Sequence, residues 1–238
     1  MGTSVPDKLQ IKATFGSPFS LGRSMAILGT FNGLNIVSLP CDTIPGITAP
    51  SSIEWNPQEM VSVGPASLTG ERQTFDWMSS WWEAHVSFPP MTRAAADAWS
   101  AFILQCRGQS NAFSLGDPNA KLPKGSPSGV PVVNGAGQTG YQLATRGWTP
   151  STYQLLLPGD FIQIGYRMYK VLDQVNSDTS GDVTIPIWPP LRDQPADDVA
   201  IACENCKGLF TLNANSGNKW STNTGDYGLA GFAIREAF

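Results

Sequence analysis

The stretch that decides the fold is Leu157 to Arg192, LPGDFIQIGYRMYKVLDQVNSDTSGDVTIPIWPPLR. Phe161, Ile162 and Ile164, then Met168, Tyr169, Val171 and Leu172, then Val183, Ile185 and Ile187 form short β-branched and aromatic runs. Gly and Asn/Asp/Ser clusters separate them, which is the pattern of antiparallel strands. Pro158-Gly159-Asp160 leads into the first strand, Gly165-Tyr166-Arg167 turns it into the second, and Asn176 to Asp182 is a longer polar loop into the third. That third strand is expected to end at Trp188, because Pro189 and Pro190 offer no N–H to a ladder. The whole reads as a β meander.

Upstream, Trp82, Ala84, Val86 and Phe88 fall on one face of a strand and Glu83, His85 and Ser87 on the other, the alternation of a half-buried strand. Pro89-Pro90 ends it. Thr92 then stands at the N-cap of a helix in which Trp99, Phe102, Ile103 and Cys106 recur at helical spacing, with Gly108 as the expected left-handed stop. Earlier still, Ile11–Phe15 and Leu34–Val37 are strand candidates, and Pro40 to Pro57, with prolines at 40, 45, 50 and 57, is expected to be an irregular surface loop. At the other end Ala230, Phe232 and Ile234 share one face of a strand that returns to the first module. The expected architecture is mainly β with one packed α-helix. A first domain is built from residues 1–109 and 211–238, and a small β domain, 110–210, is inserted into it.

Only 14% of the 238 residues are charged, against roughly 25% in an average soluble protein, so much of the surface is expected to meet neighbours. A net charge of −4 supplies no basic patch for a phosphate backbone, which argues against a nucleic-acid partner. MGTSVPDKLQ lacks an apolar leader core, and no stretch has the 18 or so apolar residues of a membrane-spanning helix, so the expectation is a protein made in the cytosol.

Several stretches recur in a characteristic order: Phe88-Pro89-Pro90-Met91-Thr92-Arg93, the helix to Gly108, Phe113-Ser114-Leu115-Gly116-Asp117-Pro118, Asn134 to Gly140, Arg146-Gly147-Trp148, the Gly181-Asp182 hairpin ending in Trp188-Pro189-Pro190-Leu191-Arg192, and Lys207-Gly208-Leu209-Phe210. Together they resemble the distal tail and tail-tip proteins of long-tailed, siphovirus-type bacteriophages. The resemblance runs over residues 82 to 212, and the first 80 match it only loosely. It implies a tail-tube-like β-sandwich belt domain carrying the inserted domain. It further implies a structural virion protein of the tail tip or baseplate, assembled in the host cytoplasm into a ring, usually of six copies. That ring would join the tail tube protein to the hub and fibre proteins.

Motifs that imitate chemistry have plainer readings. Gly135-Ala136-Gly137-Gln138-Thr139-Gly140 fits a dinucleotide fingerprint, but Thr149-Pro150 leaves no room for the helix whose N-terminus would hold a pyrophosphate. Asn176, Asp178, Ser180 and Gly181 imitate an EF-hand loop, with Ile187 where a bidentate Glu is required. Cys203 and Cys206 form a single CxxC and are the only metal candidates; with Cys41 and Cys106 they would make four thiolates, although Cys106 lies on the apolar face of the helix. No cofactor is implied. His85 is the single histidine, on the solvent side of its strand, and no complete nucleophilic triad accompanies it. Glu54, Glu59, Glu71, Asp76 and Glu83 supply carboxylates without any indication of a catalytic pair. The chain is therefore read as no enzyme.

Trp77, Trp81 and Trp82 crowd one region, and alternation sends Trp81 and Trp82 to opposite faces. An outward Trp in a charge-poor protein points to a subunit contact, so Trp81, Trp82 and His85 are the interface candidates, together with the Pro40 to Pro57 segment. The alternative function is a host-surface carbohydrate-binding module of the tail, with Tyr141, Trp148, Tyr153 and Trp188 as stacking planes.

Overall fold

The computed structural model describes residues 27–64, 70–213, 220–222, 227–229 and 231–238. In chain order the elements are β1 (Ile27–Phe31), β2 (Leu34–Val37), a one-turn helix α1 (Pro40–Thr43), β3 (Ser52–Gln58), β4 (Val61–Val63), β5 (Thr74–Asp76), β6 (Trp81–Ser87), α2 (Arg93–Cys106) and β7 (Asn111–Leu115). They continue with β8 (Gly129–Val133), β9 (Gly140–Trp148), β10 (Phe161–Ile164), β11 (Arg167–Val171), β12 (Val183–Leu191), β13 (Ile201–Ala202), β14 (Gly208–Leu212), β15 (Trp220–Thr222), β16 (Tyr227–Leu229) and β17 (Phe232–Glu236). The fold is mainly β with one long packed helix. The strand candidate Ile11–Phe15 lies outside the described residues.

Among the described residues two sheets hold most of the strands. The first has seven, in the order β1-β2-β7-β14-β17-β6-β3, antiparallel except where β2 runs parallel to β7. The alternation read in the sequence places Trp82, Ala84 and Val86 of β6 and Phe232 and Ile234 of β17 on its inner face. There Trp99, Phe102, Ile103 and Cys106 of α2 pack against them and against Phe113 and Phe210. Thr92 has the extended backbone of an N-cap, but its side chain makes no capping hydrogen bond; Gly108 takes the expected left-handed conformation at φ 65°, and Arg107 before it, the C-cap, is left-handed as well at φ 48°.

The second sheet has six strands, in the order β13-β10-β11-β12-β9-β8, and contains the meander. Its two ends meet: Val132 bridges Ala200, and the Val133 N–H donates to the Val199 carbonyl at 2.9 Å. The sheet so closes into a small barrel filled by Leu143, Trp148, Ile162, Ile164, Tyr169, Val171, Ile185 and Ile187. Period-2 alternation leaves Phe161 and Met168 on the barrel's outside, where with Trp188 they complete the core of the first sheet. Trp82 is the joint. Its ring stands 5.5 Å from Trp55, 6.1 Å from Phe161 and 4.5 Å from Trp188, and its Nε1 donates to the Met168 carbonyl at 3.0 Å.

The structure departs from the sequence reading in three places. Pro40 to Pro57 is irregular only over residues 44–51: Pro40 opens α1, and Ser52–Gln58 pairs with β6 along its whole length. Proline is tolerated at Pro57 because β3 is the last strand of its sheet. β12 does not stop at Trp188 but runs through Pro189 and Pro190 to Leu191, where the register to β9 is broken between Pro186 and Leu191, so the prolines owe no ladder bond there. Lastly, strands 111–115 and 208–212, at the expected ends of the 110–210 unit, belong to the first sheet. The chain leaves that sheet at Gly116 and returns through Lys207 beside it. A Cβ on Gly116 would stand 2.1 Å from the Cys206 carbonyl oxygen, so only glycine lets the two crossings run this close.

Candidate interaction surface

β6 separates its two tryptophans as alternation requires, and this decides their roles. Trp82 is 4% exposed and belongs to the core, so it is withdrawn as an interface residue. Trp81 faces outward but is half-buried: its Nε1 donates to Glu83 Oε1 at 2.9 Å, and the Arg235 guanidinium lies 4.4 Å from the ring centre. It is one member of a row of rings and guanidinium groups. Arg192 and Arg235 stand 4.4 and 5.4 Å from the Phe238 ring, and Arg167 stands 5.5 Å from both Phe238 and Phe31.

Arg167 anchors this row. It donates to Asp193 Oδ2 at 2.7 Å, to Glu236 Oε1 at 3.1 Å and to the Ala237 carbonyl. Glu236 also accepts from the Trp82 N–H at 3.2 Å. Its burial raises the carboxyl pKa above the ordinary value, against the opposing pull of Arg167. Arg192 donates to the Ser80 carbonyl, and burial lowers its pKa. Every one of these contacts is internal, so Trp81 is held by its own chain.

His85 is exposed between Glu54 of β3 and Ala233 of β17, on a shallow polar face with Asn56 and Glu83. The thiols lie elsewhere. Burial pushes those of Cys106, Cys203 and Cys206 up to about 12, far from the thiolate a nucleophile or a metal ligand needs. The CxxC residues also face different cores: Cys206 contributes to that of the first sheet, donating to the Phe161 carbonyl at 3.3 Å, while Cys203 packs against the barrel interior. Among the described residues no three His, Cys, Asp or Glu side chains are grouped so as to hold a metal ion.

The four proposed sugar-stacking planes are not brought together as a platform. Trp148 is buried in the barrel with its Nε1 donating to Thr145 Oγ1 at 2.8 Å. Trp188 packs on Trp82, and the Tyr141 hydroxyl donates to Asp76 Oδ2 at 2.8 Å, leaving Tyr153 as the freely exposed ring.

Among the described residues, a cluster of exposed large apolar side chains lies on an element the sequence reading passed over, the ribbon β4–β5. Every residue of both strands is exposed. Pairing of Ser62 with Phe75 puts Met60, Phe75 and Trp77 on one face. Phe75 and Trp77 meet edge to face at 4.8 Å, and Trp77 Nε1 donates to Ser62 Oγ at 2.7 Å. Val61 and Val63 share the other face with Asp76, the tether to Tyr141. Trp77 is 59% and Phe75 58% exposed, with Met60, Met78, Val61 and Val63 near half. The signal was present in the alternation of Val61-Ser62-Val63 and Phe75-Asp76-Trp77, but nothing local says that such a pattern is left exposed among the described residues. No protein-family model matches the chain, and no curated protein matches it either.

Proposed function

We propose that this chain is a structural subunit that assembles with copies of itself into a closed ring, and that the ring is part of the tip of a bacteriophage tail, where it joins the tube to the hub and fibres. The observation that carries the assembly reading is the β4–β5 ribbon, exposed on both faces and rich in large apolar side chains. A two-stranded ribbon is at best marginally stable alone in water, and an apolar patch of this kind marks a contact surface. Charge scarcity, 14% of residues, points the same way. The tail-tip assignment rests on the resemblance over residues 82 to 212. The same reading gives the chain no catalytic role: its single histidine has Glu54 and Ala233 as cross-strand neighbours, and its shifted thiols are held protonated by burial.

The carbohydrate-binding alternative is disfavoured by the burial of Trp148 and the packing of Trp188 on Trp82. Mass photometry of the purified full chain beside negative-stain imaging tests the proposal. A discrete ring-shaped multiple of the 25.5 kDa subunit is expected, and a protein that stays monomeric at micromolar concentration refutes it.

A further inference from the structure

The row of rings and guanidinium groups beside Trp81 and Phe238 is rich in hydrogen-bond donors that the chain does not use. Arg167 donates to Asp193, Glu236 and the Ala237 carbonyl. Arg192 gives one N–H to the Ser80 carbonyl, and the Arg235 side chain gives none, its buried Nε included. Among the described residues neither Arg192 nor Arg235 forms an ion pair. The neighbouring carboxylates are already engaged. Asp193 and Glu236 accept from Arg167, Glu236 also from the Trp82 N–H, and Glu83, which lies across the strands from Arg235, accepts from Trp81 Nε1. Both guanidinium groups are half-buried against rings: Arg192 stands 4.4 Å from the Phe238 ring centre and 5.8 Å from that of Trp81, and Arg235 4.4 Å from Trp81 and 5.4 Å from Phe238. A guanidinium stacked on a ring offers its N–H edge sideways, the edge that a carboxylate meets with two parallel hydrogen bonds. Burial lowers the Arg192 pKa, and the Arg167 and Arg235 charges push it the same way against the pull of Glu236, so an anion placed there is favourable.

We propose that Arg192 and Arg235, with Trp81 and Phe238 as apolar walls, form a docking site for an acidic protein segment, one that brings a carboxylate side chain flanked by apolar residues. The site goes beyond the ring reading and holds whether or not copies of the chain close into a ring. Charge favours a protein over a nucleic acid as the occupant. The chain carries −4 overall, and Asp193 and Glu83 border the patch, so a continuous phosphate backbone would have to cross them. A single carboxylate reaches the two guanidinium edges without doing so. Arg and aromatic rings grouped in a partly desolvated patch are also the composition of the residues that dominate protein contacts.

The test is fluorescence anisotropy of a dye-labelled peptide made of repeated Phe-Glu-Gly, added to the full-length chain at low ionic strength, beside the same peptide with Gln in place of Glu. The Glu peptide should bind, and the Gln peptide should bind about tenfold more weakly or worse, as the loss of charge-assisted hydrogen bonds requires. Arg235→Gln should weaken the Glu peptide by about tenfold as well. Because the Arg235 side chain donates to nothing among the described residues, this change leaves no acceptor unpaired, and far-UV circular dichroism should stay that of wild type. Arg235→Lys, which keeps the charge but loses the planar fork, should fall between the two. Arg93→Gln, at an exposed position of α2, should leave binding unchanged. If Arg235→Gln misfolds, Arg235→Lys and the pair of peptides decide. No binding of the Glu peptide, equal binding of the Gln peptide, or wild-type binding by a folded Arg235 variant overturns the proposal. A single-stranded oligonucleotide that binds more tightly than the Glu peptide and is lost in the same variant overturns it too, because the patch then serves a phosphate backbone.

Discussion

Trp82→Ala is the sharpest probe of how the two sheets depend on each other. The indole is 4% exposed, touches Trp55 from its own sheet and Phe161 and Trp188 from the barrel, and donates to the Met168 carbonyl. Truncating a fully packed Trp costs about 3–5 kcal/mol through lost transfer energy and the cavity left behind. The Met168 carbonyl loses a donor in the same step, which costs about another 1 kcal/mol. A total near 5 kcal/mol would lower Tm by roughly 10–20 °C in a chain of this size. Trp82→Phe keeps a ring in the joint but loses the donor and some volume, and should cost about 1–2 kcal/mol. Urea denaturation followed by far-UV circular dichroism measures both. The expected result is one transition moving as a whole, because the same side chain completes the core on either side. A loss below about 1.5 kcal/mol for Trp82→Ala would refute the joint, since it is half of what burial alone predicts. So would a curve that splits into an unchanged barrel transition and a weakened sheet transition.

Glu236 supplies a pH test. Its folded pKa is raised by burial, so near and above its ordinary value of 4.5 the native state holds more protons than the unfolded state, and this group's contribution to stability falls as pH rises through that window. Replacing it in Glu236→Gln removes that dependence and adds a constant penalty from the lost Arg167–Glu236 charge pair, while Arg167 keeps Asp193 and the Ala237 carbonyl. The stability of the variant relative to wild type should therefore improve from pH 4 to pH 7, and a relative decline over that range would reverse the assignment. A thiol test addresses the CxxC. With the Cys106, Cys203 and Cys206 thiols pushed up to about 12, a colorimetric thiol reagent near neutral pH should label the native chain slowly and all four cysteines, Cys41 included, only after denaturation. Fast native labelling at Cys203 or Cys206 would count against buried, protonated thiols.

The sequence by itself determined what depends on one strand or one helix. The alternation at Trp82, Ala84 and Val86, the helical spacing of Trp99, Phe102, Ile103 and Cys106, and the turn chemistry of the meander are local patterns, and a local pattern names the buried face without knowing what buries it. Partnership was decided by the tertiary structure alone. β14 is buried at all five positions, so no alternation announces its place between β7 and β17. Pro57 and Pro189 read as breakers, yet one sits on an edge strand and the other where the ladder is already interrupted. Trp81 and Trp77 look alike as outward tryptophans four residues apart, but Arg235 and Glu83 lie against the first, and among the described residues nothing comparably covers the second. Whether an apolar face ends as core or as contact surface depends on residues distant in sequence arriving over it, and the period of the strand is the same in both cases.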